Sequence, residues 1–136
     1  MANHLFVAIL FGTLMANPAF AGGAETFQPV EASSISAAEL HKRREAMTAP
    51  VVIDVRTAGE YDSGHIPGAL NIPFDQVAER IAEVEAPYGV ALYCMIGPRA
   101  RKGESALLAA GYEKVLHLEG GLAAWKAAGL PVEGGQ

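Results

Sequence analysis

The sequence predicts an α/β fold, a small parallel sheet with helices on both faces, and three observations lead there. Short apolar runs at Val51-Val52-Ile53-Asp54-Val55, Val90-Ala91-Leu92-Tyr93 and Val115 to Leu118 lack the alternation of a half-exposed strand and read as strands buried on both sides. Stretches with helical spacing lie before, between and after them, an order that implies parallel crossovers. The chain has 136 residues, of which 51% are hydrophobic and 18% charged, which is one domain's worth of ordinary globular composition.

Residues 1–21 differ in kind from the rest. Leu5 to Met15 is an uncharged apolar run, followed by Pro18 and by Ala19-Phe20-Ala21, a small-x-small pattern suited to signal-peptidase cleavage before Gly22. No Lys or Arg precedes the run, and an uncleaved anchor is the competing reading, although a stretch interrupted by Pro18 is short against the roughly twenty residues a span needs. Residues 1–21 are therefore read as a signal peptide, 22–33 as a flexible lead-in without periodicity, and 34–136 as the folded domain. The expected location is the periplasm, with no membrane attachment after cleavage.

Within the domain, Ser36-Ala37-Ala38-Glu39 has the spacing of a capping box and opens a helix to about Met47, with Leu40 and Met47 toward the core. Pro50 ends it and the first strand follows. The stretch from Thr57 to Pro73, punctuated by Gly59, Gly64, Pro67, Gly68 and Pro73, reads as loop. A helix from Asp75 to Val84, capped by Asp75, carries Val77, Ile81 and Val84 on one side. After the strand at Val90 comes a helix from Arg99 to Ala110 with Gly111 as its C-terminal cap. Leu122 to Ala128 makes a last short helix, whose Trp125 is expected in the core.

Cys94 is the one cysteine, so no internal disulfide is possible and the thiol calls for a chemical explanation. It follows the second strand and precedes a turn into a helix, where unpaired N–H groups and the positive dipole end favour a thiolate. A buried, inert cysteine is the alternative. Gly97, Arg99, Arg101 and Lys102 weigh against it by allowing a tight backbone path and bringing positive charge. The formal charge of −5, with 10 Lys and Arg scattered among 15 acids, argues against nucleic-acid binding. One cysteine and 4 histidines offer no metal-site spacing.

Three separated motifs stand in a telling order. Asp54-Val55-Arg56 with Glu60-Tyr61, Gly64-His65-Ile66-Pro67-Gly68-Ala69 and Asn71-Ile72-Pro73 is similar to the amino-terminal signature of the rhodanese family. Gly111-Tyr112, Val115, Leu118, Gly120-Gly121, Trp125 and Gly129-Leu130-Pro131-Val132 is similar to its closing pattern. Cys94-Met95-Ile96-Gly97-Pro98-Arg99 occupies the place of the six-residue active loop. The resemblance runs from about Ile35 to Val132 and implies a rhodanese-like, thiosulfate sulfurtransferase-like single domain of the small exported bacterial kind.

In such a protein Cys94 takes a sulfane sulfur from a donor such as thiosulfate, holds it as a persulfide, and passes it to cyanide or a thiol without metal or cofactor. Met95, Ile96, Gly97, Pro98, Arg99 and Ala100 form the persulfide-binding loop, with Asp54 and Arg56 in support. Met95 and Ile96 stand where many active relatives carry a polar or basic residue, and Pro98 lacks an N–H. These departures point toward a bulkier or protein-bound sulfur donor. Arg99 is expected to touch substrate or persulfide, with a surface ion pair as the alternative. Asp54, Arg56, Glu60 and His65 are expected to tie loops together, His65 as general base being possible but unneeded. His117 is expected to be a satisfied core or edge histidine, and Arg101 and Lys102 exposed charges. A phosphatase or arsenate reductase of related fold would need one more residue before its arginine, at Ala100. A non-catalytic binding module remains the third class. The protein is expected to be a monomer.

Overall fold

The computed structural model describes residues 30–135; the expected signal peptide, 1–21, and most of the lead-in, 22–33, lie outside the described residues. Five parallel strands form one sheet in the order β1-β5-β4-β2-β3. They are β1 (Ser33–Ile35), β2 (Val51–Asp54), β3 (Leu70–Asn71), β4 (Val90–Tyr93) and β5 (Val115–Leu118). The helices are α1 (Ala37–Glu45), α2 (Ala58–Asp62), α3 (Val77–Arg80), α4 (Pro98–Ala109) and α5 (Gly121–Ala127).

Strand pleating explains why one sheet carries two cores. Successive side chains point to opposite faces, so Val52, Ala91, Tyr93 and Leu118 pack with Leu40 of α1 and with Leu122 and Trp125 of α5. Ile53, Leu92 and Val115 pack on the other side with Val77, Ala100 and Leu107 of α3 and α4. Cys94 belongs to the second cluster. Trp125 is fully buried, and its indole N–H donates to the Pro131 carbonyl at 2.8 Å. That bond satisfies the one polar atom a buried tryptophan carries.

Four local expectations are corrected. Asp75 does not cap α3: the helix starts at Val77 after Gln76, has no side-chain cap, and tightens into a 3₁₀ turn over Ile81–Glu83. The stretch 57–73 is not all loop. Thr57 accepts from the Glu60 N–H and starts α2, and Leu70 and Asn71 pair with Ile53 and Asp54 as β3. The lead-in does not reach residue 33, because Ser33 already pairs with Leu116. The first helix ends at Glu45, and Met47, expected in the core, is exposed with φ 57°. Its start is as expected, Ser36 Oγ accepting from the Glu39 N–H at 3.1 Å. Glu39 itself pairs with Arg43 at 2.9 Å and does not reach back to close the box.

Candidate active site

Cys94 directly follows the carboxyl end of β4, which lies between β5 and β2 in the sheet. Its sulfur accepts a hydrogen bond from the Gly97 N–H at 3.0 Å. Gly97 has φ 141°, a conformation that L side chains rarely adopt, and this lets the chain double back within three residues. Pro98 then opens α4 in the first-turn position where its missing N–H leaves no helical bond unmade.

The loop is held from behind by α5. Leu122 N–H donates to the Cys94 carbonyl at 2.9 Å and Ala123 N–H to the Met95 carbonyl at 3.0 Å. Two orphan donors of the α5 first turn thus bind two loop carbonyls. Such close approach requires Gly121, where a Cβ would meet the Cys94 and Met95 carbonyl oxygens at 2.5 and 2.7 Å. Sequence reasoning placed Gly121 only within a closing pattern; its contact with the reactive loop emerges from the fold.

The cysteine itself is 2% exposed, whereas Met95 is 38% and Ile96 66% exposed. Met95 and Ile96 thus stand exposed while the sulfur beside them is buried. Ala100 is buried beneath the loop on α4.

Arg99 makes the alternative contact, an ion pair. Its guanidinium donates to both carboxylate oxygens of Glu60 at 2.8 Å, which bridges α4 to α2 across the loop. That pairing holds the Glu60 carboxyl below the usual glutamate range and raises Arg99 further. Arg101 lies 3.5 Å from Glu104, and Lys102 sits 5.6 Å over the Phe74 ring.

Asp54 and Arg56 sit behind the site as a buried ion pair. Arg56 donates to the Asp54 carboxylate through Nε at 3.0 Å and Nη2 at 2.7 Å, and Nη2 also donates to the Gly64 carbonyl at 2.7 Å. Tyr93 O–H donates to Asp54 at 2.9 Å and accepts from the Ile66 N–H at 3.0 Å. Burial and the adjacent Asp54 charge push the Tyr93 phenol far above its ordinary value, which keeps it a donor. This network joins β2, β4 and the loop before β3, the loop-tying role expected of the pair.

His65 lies elsewhere. Its Nδ1 is 2.8 Å from the Tyr61 carbonyl, its ring stacks on Tyr61 at 3.6 Å, and its backbone bridges to Glu133. It fastens the carboxyl-terminal segment. His117 faces α4 and places Nδ1 2.5 Å from Glu104 Oε1. A Cβ built at Gly97 would lie 3.6 Å from its Cε1 and Nε2. Sequence reading gave Glu104 no role and did not bring His117 to the loop.

A family model for the rhodanese-like domain matches residues 36–128. A sulfurtransferase of Allochromatium vinosum is 37% identical over 82 residues, covering 60% of this chain and 77% of that protein. An HTH-type transcriptional regulator of Mycobacterium tuberculosis is 41% identical over 104 residues, covering 75% of this chain and 45% of its own length. The crystal structure of a thiosulfate sulfurtransferase from Pseudomonas aeruginosa superposes with a TM-score of 0.71 at 32% identity, over 77% of this chain and 21% of that one. The chain thus spans less than half of the regulator and about a fifth of the Pseudomonas protein.

Proposed function

The chain belongs to the rhodanese-like domain family, and from that premise we propose that it is a sulfurtransferase in which Cys94 carries the moving sulfur as a persulfide. The observation that carries this reading is the Gly97 N–H on Cys94 Sγ, in a loop whose carbonyls at 94 and 95 are drawn off by α5. With those carbonyls engaged by α5, the Gly97 N–H is the hydrogen-bond donor set on the sulfur, where it can hold negative charge as it develops.

The chemistry is a double displacement. The Cys94 thiolate attacks the outer sulfur of a sulfane donor; in thiosulfate the S–S bond breaks and sulfite leaves with its electron pair. The product is Cys94–S–S⁻, with total charge unchanged. Cyanide or a thiolate then attacks the outer sulfur, leaves as thiocyanate or a persulfide, and returns the Cys94 thiolate. The reaction as written needs no cofactor. The exposed Met95 and Ile96 favour a bulkier or protein-bound donor over free thiosulfate.

Residues 1–21 are proposed to export the protein to the periplasm, where it acts as a monomer. Intact-mass spectrometry after thiosulfate treatment tests the reading. Addition of one sulfur atom, removed by cyanide and missing in Cys94→Ser, is the expected result. No adduct with any sulfane donor leaves the non-catalytic binding module. A Met95→Arg variant is expected to raise kcat/KM for thiosulfate; no gain counts against the apolar mouth as the reason for weak thiosulfate use.

A further inference from the structure

A buried His–Glu pair lies against the reactive loop, and the double displacement above gives it no part. His117, on β5, is 5% exposed, and Glu104, on α4, is 2% exposed. Glu104 Oε1 is 2.5 Å from His117 Nδ1. Its other oxygen, Oε2, has no hydrogen-bond partner among the described residues, with Arg101 Nη1 at 3.5 Å. Burial raises the Glu104 carboxyl, and the contact with His117 opposes that rise.

A half-satisfied ionisable pair is a poor way to stabilise a core, since well-packed apolar side chains of similar volume do as well or better. Position gives the pair a different meaning. The Cε1–Nε2 edge of the ring is turned toward Gly97, where a Cβ built on that glycine would come within 3.6 Å of both ring atoms; Gly97 is the residue whose N–H reaches the Cys94 sulfur. Gly97 has no side chain of its own to anchor it.

We propose that His117 and Glu104 act together as a positioning dyad, in which Glu104 fixes the imidazole and the far edge of the imidazole fixes the Gly97 peptide so that its N–H stays on Cys94. This deepens the sulfurtransferase reading and rests on it for its biological meaning, but it concerns the sulfur's reactivity alone.

The test therefore uses alkylation of Cys94 by iodoacetamide in the full chain, which requires no sulfur donor, alongside the ultraviolet absorbance of the thiolate and the urea midpoint. His117→Asn keeps a donor where Nδ1 meets Glu104 but has nothing to place under Gly97. It is expected to alkylate about tenfold more slowly, a fraction of what losing a whole oxyanion donor costs. His117→Gln, which can set its amide nitrogen where Nε2 lies, is expected to recover most of that rate. Glu104→Leu is expected to slow alkylation too, because the ring is no longer fixed.

Wild-type alkylation rates and thiolate absorbance in His117→Asn and Glu104→Leu overturn the dyad, whatever happens to the urea midpoint. If His117→Asn does not fold, the Glu104→Leu rate decides alone. Should wild type alkylate readily yet take no sulfur from any donor, the functional reading fails while the dyad stands.

Discussion

At the scale of single residues, Arg99, five positions after Cys94, has its guanidinium engaged by Glu60. A bidentate ion pair occupies the guanidinium face that a dianionic donor would use. Glu60→Gln is expected to lower KM for thiosulfate several-fold with little change in kcat, because the competing carboxylate charge is gone. An unchanged KM places Arg99 outside substrate binding. The same pair has an acid limit. Glu60 has its carboxyl lowered by Arg99, so the stability it adds is present above the unfolded glutamate value and is lost as pH falls through the lower folded one. Glu60→Gln is expected to show a shallower loss of thermal stability in that acid window, measured by calorimetry against wild type. The effect is small because the pair is partly exposed. The place of Cys94 in a turn between a strand and a helix was legible in sequence because an apolar run, a glycine and a proline form a local pattern. Glu60 was not read as Arg99's partner, because 39 residues separate them and only the fold brings them together.

At the scale of elements, the strands β2, β4 and β5 could be read directly, since burial on both faces forces continuous apolar sequence. β1 and β3, with 3 and 2 residues, are too short to carry a period and exist through their pairing with longer neighbours. α2 buries no residue, so no apolar face announces it. The contact of α5 with the reactive loop was equally hidden, being a matter of backbone approach. Gly121→Ala is expected to cost roughly 1–3 kcal/mol from its positive φ. By forcing the Cys94 and Met95 carbonyls away it should also slow Cys94 alkylation at least as much as His117→Asn. A variant with normal alkylation kinetics removes α5 from the construction of the site. The Asp54–Arg56 pair belongs to this scale too, since it joins β2, β4 and the Gly64 loop. Asp54→Ala leaves the buried Arg56 guanidinium without its 2.7 Å carboxylate partner, with Glu60 no nearer than 4.0 Å, and is expected to destabilise by about 3 kcal/mol in urea unfolding. A loss well under 1 kcal/mol would mean the network is not holding those elements.

At the scale of the whole molecule, the carboxyl-terminal segment closes the fold on itself. His65 and Glu133 exchange backbone hydrogen bonds at 2.8 and 2.9 Å, and Gly135 N–H donates to the Asp62 carbonyl at 3.0 Å. Removing residues 132–136 deletes these three bonds and uncovers the α2 side of the core. At about 1 kcal/mol for each bond, the shortened chain is expected to lose about 3 kcal/mol, read from the urea midpoint at unchanged slope. Equal midpoints for the two chains would make the segment a passive tail.

The sheet ends on each side in one of its two shortest strands, with the longer β5, β4 and β2 enclosed between them. Rims so brief offer another polypeptide almost no ladder to zip onto. Another polypeptide would therefore find little purchase along either edge of this sheet.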